Sequence, residues 1–332
     1  MNDQEHPANS TTRHCAVCLI TIESSPKVCA KCRRRTYCST ECQRMDWKLG
    51  CLQGHKNWCE LGCGEEGIDW EILDYGPTKG LGVRAMRDFK KLERIIVDGI
   101  RQESDPVIND LHPLGGSISE KVLLNQLACE SPNEYALCAR MARVNHSCDP
   151  NAFHIYDATF KVKILVSQRD IHAGDEICIS YPNWDDPTSS VSPESARVGL
   201  MMKWGIICDV NCRCYDSNVL RYLKQASNLD TQIFEKSSKG DIVGAIYAAD
   251  SLLALHETMH SPPMSMVRVY YDRFQLYIMT KKTLHKATND INQCYLLKAS
   301  IYHPQSQEAM EILQLVRDPS KHRNYLFYEL RR

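Results

Sequence analysis

Eight soft metal donors fall in four close pairs within residues 15–59: Cys15-x2-Cys18, Cys29-x2-Cys32, Cys38-x3-Cys42 and His55-x3-Cys59. Spacing this short places two donors on one turn or knuckle, and zinc takes four nitrogen or sulfur donors in a tetrahedron. Eight donors therefore predict two zinc ions. A segment from about Arg13 to Gly62 can bury little apolar core, so metal binding, on the order of 10 kcal/mol per site, must supply its stability. That requires thiolates rather than disulfides. The chain has 17 cysteines, an odd number, and Met1 to His14 is polar with no apolar stretch of the kind that opens a secreted protein. This usage predicts a reducing, intracellular compartment, nucleus or cytoplasm. No apolar run approaches the roughly 18 residues that span a membrane. A net charge of −1 over 332 residues leaves no electrostatic footprint for bulk nucleic-acid binding.

The remaining chain divides by pattern. Residues 1–12 are polar and without periodicity, which predicts a disordered tail. The finger occupies residues 13–62, and Cys63 to Gly67 reads as a linker. From Ile68 short runs rich in β-branched residues predict strands at Trp70–Leu73, Gly82–Met86, Arg94–Val97, Lys161–Val166 and Glu176–Ser180. Two of these echo each other. Arg87-Asp88-Phe89 precedes Arg94 to Val97 as Arg169-Asp170-Ile171 precedes Glu176 to Ile179, with Leu92 standing where the second copy has Gly174. The first turn must therefore avoid positive φ or carry strain. Residues 117–144 read as helical, with Val122, Leu123, Leu124 and Leu127 as the apolar stripe. After Ser217 the pattern is of five or six antiparallel helices. Ile242, Ile246, Ala249 and Leu253 recur at helical spacing behind Asp241, a candidate N-cap. Pro262-Pro263 ends that segment; 267–286 and 290–302 are further helices, the last stopped by Pro304.

The run from Tyr37 to Trp47, with the His-x3-Cys ending, resembles the MYND finger. The resemblance implies that ligand pairs alternate between the metals: Cys15, Cys18, Cys38 and Cys42 on one zinc, Cys29, Cys32, His55 and Cys59 on the other. Cys51 competes with His55, whose His55-Lys56-x2-Cys59 context matches the family ending. MYND fingers bind proline-rich peptides, which makes such a peptide the expected partner. Lys31, Arg33, Arg34 and Arg35 make the finger basic, either as a solvated face that offsets thiolate charge or as a surface for acidic partners.

A second set of motifs resembles the SET family of protein lysine methyltransferases across roughly residues 68–216. It comprises Gly80-Leu81-Gly82, then Asn145-His146-Ser147-Cys148-Asp149-Pro150-Asn151, then Gly174-Asp175-Glu176-Ile177 leading to Ser180-Tyr181, then Cys208, Cys212 and Cys214. The resemblance implies that Lys79, Gly80, Leu81, Gly82, Asn145, His146 and Tyr181 hold S-adenosylmethionine. It also implies that the polar 145–151 run is threaded through a loop. Tyr181 is the expected catalytic residue, its hydroxyl orienting the lysine nitrogen. Cys148, Cys208, Cys212 and Cys214 are the expected third zinc site, although the family reads Cys-x-Cys-x2-Cys where this chain has Cys-x3-Cys-x-Cys. The family also places an aromatic before the first of these cysteines; here Ile206 and Ile207 stand there, and Trp204 is either a substitute or core. In SET-and-MYND proteins the finger interrupts the SET domain, whereas here it precedes Gly80 altogether.

The chemistry is economical. In-line transfer of a methyl group needs position and a dry channel more than covalent help. The acceptor amine must be neutral, and burial beside a positive sulfonium disfavours its ammonium form. The expected fold is α+β: a double-zinc finger (13–62), SET-type sheets with the post-SET segment (68–216), and a helical domain (217–332) similar to the TPR-like half of SET-and-MYND proteins. The expected function is S-adenosylmethionine-dependent methylation of a protein lysine, with about three zinc ions. The competing reading is a non-catalytic adaptor that binds peptides through the finger.

Overall fold

Metal donors dominate the first layer of structure. The computed structural model describes residues 13–23, 25–48, 54–102, 104–111, 113–129, 135–182, 184 and 191–330; the expected tail 1–12 and Cys51 lie outside them. Two-residue strands pair antiparallel, Arg13–His14 with Thr21–Ile22 and Lys27–Val28 with Thr36–Tyr37. The helix Thr40–Lys48 follows. Ser39 Oγ accepts from the Cys42 amide at 3.1 Å, as an N-cap does. The buried core of this layer is Cys15, Ala16, Val17, Cys29 and Tyr37.

Beyond it lie two small sheets. One has four strands, in the order Asn145–His146, Glu176–Ile179, Leu81–Ala85, Trp70–Asp74; its first pair is parallel and the others antiparallel. The other has Val162–Ser167 between Ala152–Asp157 and Arg94–Gly99, all antiparallel. All six residues of Val162–Ser167 are buried, because both faces of the strand are covered. Leu165 faces the main core with Trp70, Phe89, Ile95 and Ile177. Val162, Ile164 and Val166 face the opposite way, onto Trp58 of the finger and Ile301 and Tyr302 of the helical region. Period-two alternation produces this division.

The echoed segments pair with each other. Phe89 and Ile171 form an antiparallel bridge, N–H to O at 2.8 and 2.9 Å. Leu92 takes φ +73° and Gly174 φ +96°, so of the two expected outcomes the first turn takes the strained one, at a cost on the order of 1 kcal/mol. Leu92 is held there by its amide on Ser167 O at 3.0 Å.

Three expectations are corrected. Residues 117–144 are not one helix. The helix Ile118–Asn125, started by a Ser117/Glu120 capping box, gives way to strand Gln126–Ala128, paired with Tyr135–Leu137. Leu127 packs on the main core from that strand, not from a helix stripe. Nor is 267–286 continuous. Pro263–Tyr277 ends where the Thr283 hydroxyl bonds the Tyr277 carbonyl, and Leu284–Ile301 begins afresh. The other long helices from residue 217 onward are Ser217–Ser238, Ile242–Thr258 and Gln307–Arg317, with a short one at Phe327–Leu330, and successive long helices pack together. Asp241 caps its helix by accepting from Gly244 N at 2.9 Å. Among the described residues no helix is long and apolar enough to cross a membrane.

The third correction concerns Cys63 to Gly67, which is a seam and not a linker. The Gly64 amide bonds Arg94 O at 2.9 Å, and a Cβ on Gly64 would lie 2.5 Å from Ile95 O. Glu65 and Glu66 are buried. Finger side chains meet carboxylates across or along this seam: the Arg34 guanidinium with Asp69, the His14 ring with Glu66, and the Arg35 guanidinium with Asp46 at 2.6 Å and Glu65 at 3.4 Å. Burial pushes the Glu65 carboxyl up and the Arg35 guanidinium opposes that rise.

Trp58 should therefore hold the finger to the outer face of the sheet. Trp58→Ala is expected to cost about 3–5 kcal/mol, read as a lower midpoint in denaturant. Removal of residues 1–62 should abolish cooperative thermal unfolding of the remainder. A truncated chain that melts at the parent temperature would show the finger to be separable.

Candidate active site and metal centres

Three groups of four donors each converge to within 4.8 Å: Cys15, Cys18, Cys38 and Cys42; Cys29, Cys32, His55 and Cys59; Cys148, Cys208, Cys212 and Cys214. The first two are the alternating sets implied by the finger resemblance. A regular tetrahedron with zinc–sulfur bonds of ~2.3 Å puts sulfurs about 3.8 Å apart. The sulfurs here stand at 3.6 Å for Cys18–Cys38 and Cys38–Cys42, and 3.7 Å for Cys29–Cys59 and Cys148–Cys208. His55 Nε2 lies 3.3 Å from Cys32 Sγ, while its Nδ1 lies 3.9 Å from a Glu65 carboxylate oxygen. Burial, then the charge of Arg35, pushes the His55 pKa down to about 4, so its ring is neutral, the form that ligates. At the third group burial pushes the Cys148 thiol far up; a central cation is what makes thiolates favourable there. The donors fit zinc at all three.

The unusual Cys208-x3-Cys212 spacing is absorbed by a turn. Asp209 Oδ1 accepts from the Asn211 amide at 2.8 Å, and Asp209 O from the Cys212 amide at 2.9 Å. The extra residues loop outward and return Cys212 to the group.

The residues implied for cofactor binding gather on the four-stranded sheet. Gly80 adopts φ +66°, which favours glycine. Gly82 is needed for a different reason: a Cβ there would lie 2.6 Å from Asn145 Nδ2 and 2.8 Å from the Tyr75 ring. Asn145 and His146 form a parallel strand in register with Cys178 and Ile179. The turn that follows is tied to the same strand, since Asn151 donates to Glu176 O and accepts from Cys178 N, both at 2.9 Å. The polar run is thus part of a sheet, its side chains satisfied by neighbours. Lys79 Nζ lies 2.6 Å from Glu176 Oε2 and Asn145 Nδ2 donates to Glu176 Oε1 at 2.9 Å. Leu81 is 40% exposed at the rim.

Tyr181 ends this strand run. Its hydroxyl donates to Val144 O at 3.0 Å and its amide to His146 Nδ1 at 3.2 Å. With Nδ1 accepting, the His146 proton sits on Nε2, which lies 3.2 Å from Cys148 Sγ. Burial holds the His146 pKa down near 4 and pushes the Tyr181 phenol up. The imidazole is neutral and the phenol keeps its proton. The Tyr181 ring packs between His146, centroids 5.3 Å apart, and Trp204, 4.9 Å apart. Trp204 is thereby a wall behind Tyr181, anchored by its indole N–H on Leu124 O at 3.2 Å. Ile206 packs partly buried nearby, and Ile207 is 81% exposed.

Two members of this constellation escaped sequence reasoning. Glu176 orients both Lys79 and Asn145, and Tyr75 fills the space that Gly82 leaves. Glu176 stands inside the Gly174-Asp175-Glu176-Ile177 motif, which was given no binding role of its own. Tyr75 belongs to none of the motifs singled out in the sequence. A cavity of about 660 Å³ lies away from Tyr181, between finger and sheet, lined by Met45, Trp58, Val97, Arg101 and Arg140 among others.

Paired zinc-type groups in a short finger are joined to small sheets that bring Asn145, His146 and Tyr181 beside a third such group, and family models match both parts of the chain. The MYND finger family model matches residues 15–59 and the SET domain family model residues 80–182. N-lysine methyltransferase SMYD2-B of Xenopus laevis is 26% identical over 205 residues, 54% of this chain and 47% of that protein. N-lysine methyltransferase SMYD2-A of the same organism is 25% identical over 225 residues, 60% and 50% of the two chains. Histone-lysine N-methyltransferase SMYD3 of Mus musculus is 24% identical over 236 residues, 61% and 52%. The chain spans about half the length of the curated relatives it matches.

Metal analysis of purified protein should give three zinc ions per chain, falling to two in Cys212→Ser; a value of two in both would remove the third site. Gly82→Ala should push Asn145 and Tyr75 apart, costing about 1–3 kcal/mol and weakening binding of S-adenosylmethionine. Unchanged stability and affinity would show that the strand relaxes freely.

Proposed function

We propose that this chain transfers a methyl group from S-adenosylmethionine to the amine of a protein lysine. The observation that carries the reading is the convergence on one edge of the sheet. Gly82 lacks the Cβ that would strike Asn145, and Asn145 and His146 run beside the strand that delivers Tyr181. The cofactor, when bound, supplies an electrophilic methyl group on a sulfonium. The protein's share is placement. Asn145 and Lys79 are both held by Glu176; with the cofactor bound, Asn145 would hold its polar end and Lys79 its carboxylate. Gly80 and Gly82 keep the backbone bare, with Leu81 at the rim. His146, neutral and locked by Tyr181 N and Cys148, fixes the Tyr181 ring.

Tyr181 is the catalytic residue in this reading. Its hydroxyl is already oriented by Val144 O, and burial keeps it protonated. A fixed neutral dipole in a dry site orients the lysine nitrogen without accepting its proton. Trp204 closes the wall behind it, and a zinc held by Cys148, Cys208, Cys212 and Cys214 would brace that wall. The domain division that goes with this function is finger 13–62, SET and post-SET 68–216, and helical domain 217–332. The finger is a protein-interaction module, and a proline-rich peptide is the partner we assign to it. The described cysteines are all free of disulfides, which suits a reducing, intracellular setting.

Calorimetric titration of S-adenosylmethionine into the full chain tests the reading first, since an adaptor has no need to bind it. Tyr181→Phe should then bind the cofactor within a few-fold of the parent while labelled-methyl transfer to cell protein falls roughly 10²–10³-fold. Equal transfer rates for the two proteins would exclude a catalytic role for the hydroxyl.

A further inference from the structure

Four segments distant in sequence meet around a recess of about 210 Å³: the turn after Cys148, the turn after Val162–Ser167, the short helix Arg213–Tyr215, and the end of helix Ile242–Thr258. Its lining includes Asp149, Pro150, Gln168, Arg169, Arg213 and His260. Asp149 is shared between two guanidinium groups. Arg169 Nη1 and Nη2 reach its two carboxylate oxygens at 3.1 Å each, and Nη2 also reaches its backbone carbonyl at 3.1 Å. Arg213 Nη1 reaches the same carboxylate at 3.1 Å. Two cations and one anion leave the recess net positive. Arg169 and Asp149 remain 41% and 51% exposed, so the pair faces solvent. The loop behind is fixed, Gln168 Nε2 donating to His260 O at 3.2 Å.

Pro150 and Gln168 also line a second recess, of about 290 Å³, which reaches Ile179 and Ser180, the residues before Tyr181. The two recesses therefore adjoin and lead from the tyrosine's neighbours to the arginine pair. In the second recess Ser180 Oγ and His154 Nδ1 are buried and have no hydrogen-bond partner among the described residues. Ser180 is only 8% exposed. These two atoms make the inner wall of the recess polar, which suits a peptide passing over it better than an apolar ligand.

We propose that the acceptor protein carries an anionic side chain near its target lysine, and that this side chain docks on Arg169 and Arg213 while the intervening peptide lies along the Ser180 and His154 recess. Planar guanidinium forks match carboxylate and phosphate oxygens, so the anion is an aspartate or glutamate, or a phosphorylated serine. The target lysine is taken from the function proposed above; the charge preference follows from the two recesses alone.

The test uses the full zinc-loaded chain, immobilised with S-adenosylhomocysteine present. It is exposed to peptides with one fixed lysine and randomised flanks that include aspartate, glutamate and phosphoserine. Bound peptides should be enriched about three- to fivefold in an anionic residue at one spacing from the lysine, the scale of a solvent-facing ion pair. Enrichment of the carboxylates or of phosphoserine identifies which anion is read. The enrichment should vanish in Arg169→Gln with Arg213→Gln. Because Arg213 lies between two proposed zinc ligands, Arg169→Gln alone, with zinc content unchanged, must also reduce it. No anionic preference in the parent, or an equal preference in Arg169→Gln, overturns the proposal. Loss of the methyltransferase reading would appear instead as failure to bind S-adenosylmethionine, with the peptide preference intact.

Discussion

Arg94 is the joint on which the arrangement depends. It leaves the edge strand Arg94–Gly99 and spreads its guanidinium over the end of helix Leu284–Ile301. Nη2 reaches Ala299 O at 2.6 Å and Tyr302 O at 2.5 Å, Nε reaches Ile301 O at 3.1 Å, and Nη1 reaches Leu61 O of the finger at 3.3 Å. The last carbonyls of a helix lack partners within it and carry the negative end of its dipole. A cation placed there satisfies several of them at once, an effect worth up to about 2 kcal/mol in a partly buried setting. Burial lowers the Arg94 pKa, which measures the cost of holding the charge there. The return is that finger, sheet and helices are locked by one side chain.

Apolar packing completes the joint. Trp58, Phe160 and His303 come from the three regions and their rings meet, His303 lying 3.9 Å from Phe160 and 5.0 Å from Trp58 between centroids. The His303 amide bonds Asp157 Oδ2 at 3.1 Å and its ring bonds Asn57 O at 3.2 Å. The outer face of the Val162–Ser167 strand is thereby sealed. That seal gives the other sheet, with Asn145 and Tyr181, a rigid base.

At the site itself one carboxylate organises two arms. Glu176 holds Lys79 with one oxygen and Asn145 with the other, across 97 and 31 residues of chain. His146 links the Tyr181 amide to Cys148, so the third metal group and the candidate catalytic ring share one imidazole. Disturbance of that metal would reach Tyr181 through a single hydrogen-bonded residue.

Much of this was legible in the residues. Ligand pairs at short spacing were legible because donors on one turn need no tertiary guidance, and five of the strands between Trp70 and Ile179 followed from β-branched or alternating runs; Ala152–Asp157 was not among them. Asp241 as a cap, and the strained turn at Leu92, followed from local chemistry. The helix expected over 117–144 failed because Leu127 fits either period, and only pairing of Gln126–Ala128 with Tyr135–Leu137 chose the strand. Cys63 to Gly67 looked like a linker because small and acidic residues usually face water; here Arg35, Arg140 and the Arg94 carbonyl supply partners that make burial tolerable. Sequence alone determined the short-spaced ligand pairs and most of the strand chemistry, because those depend on neighbours a few positions away; the grouping of the pairs and the residues expected around Tyr181 came from the family resemblance. Only tertiary structure decided where the finger sits, what Glu176 and Tyr75 do, and that Arg169 and Arg213 share Asp149, because each depends on contacts between segments whose separation along the chain says nothing of their distance in space.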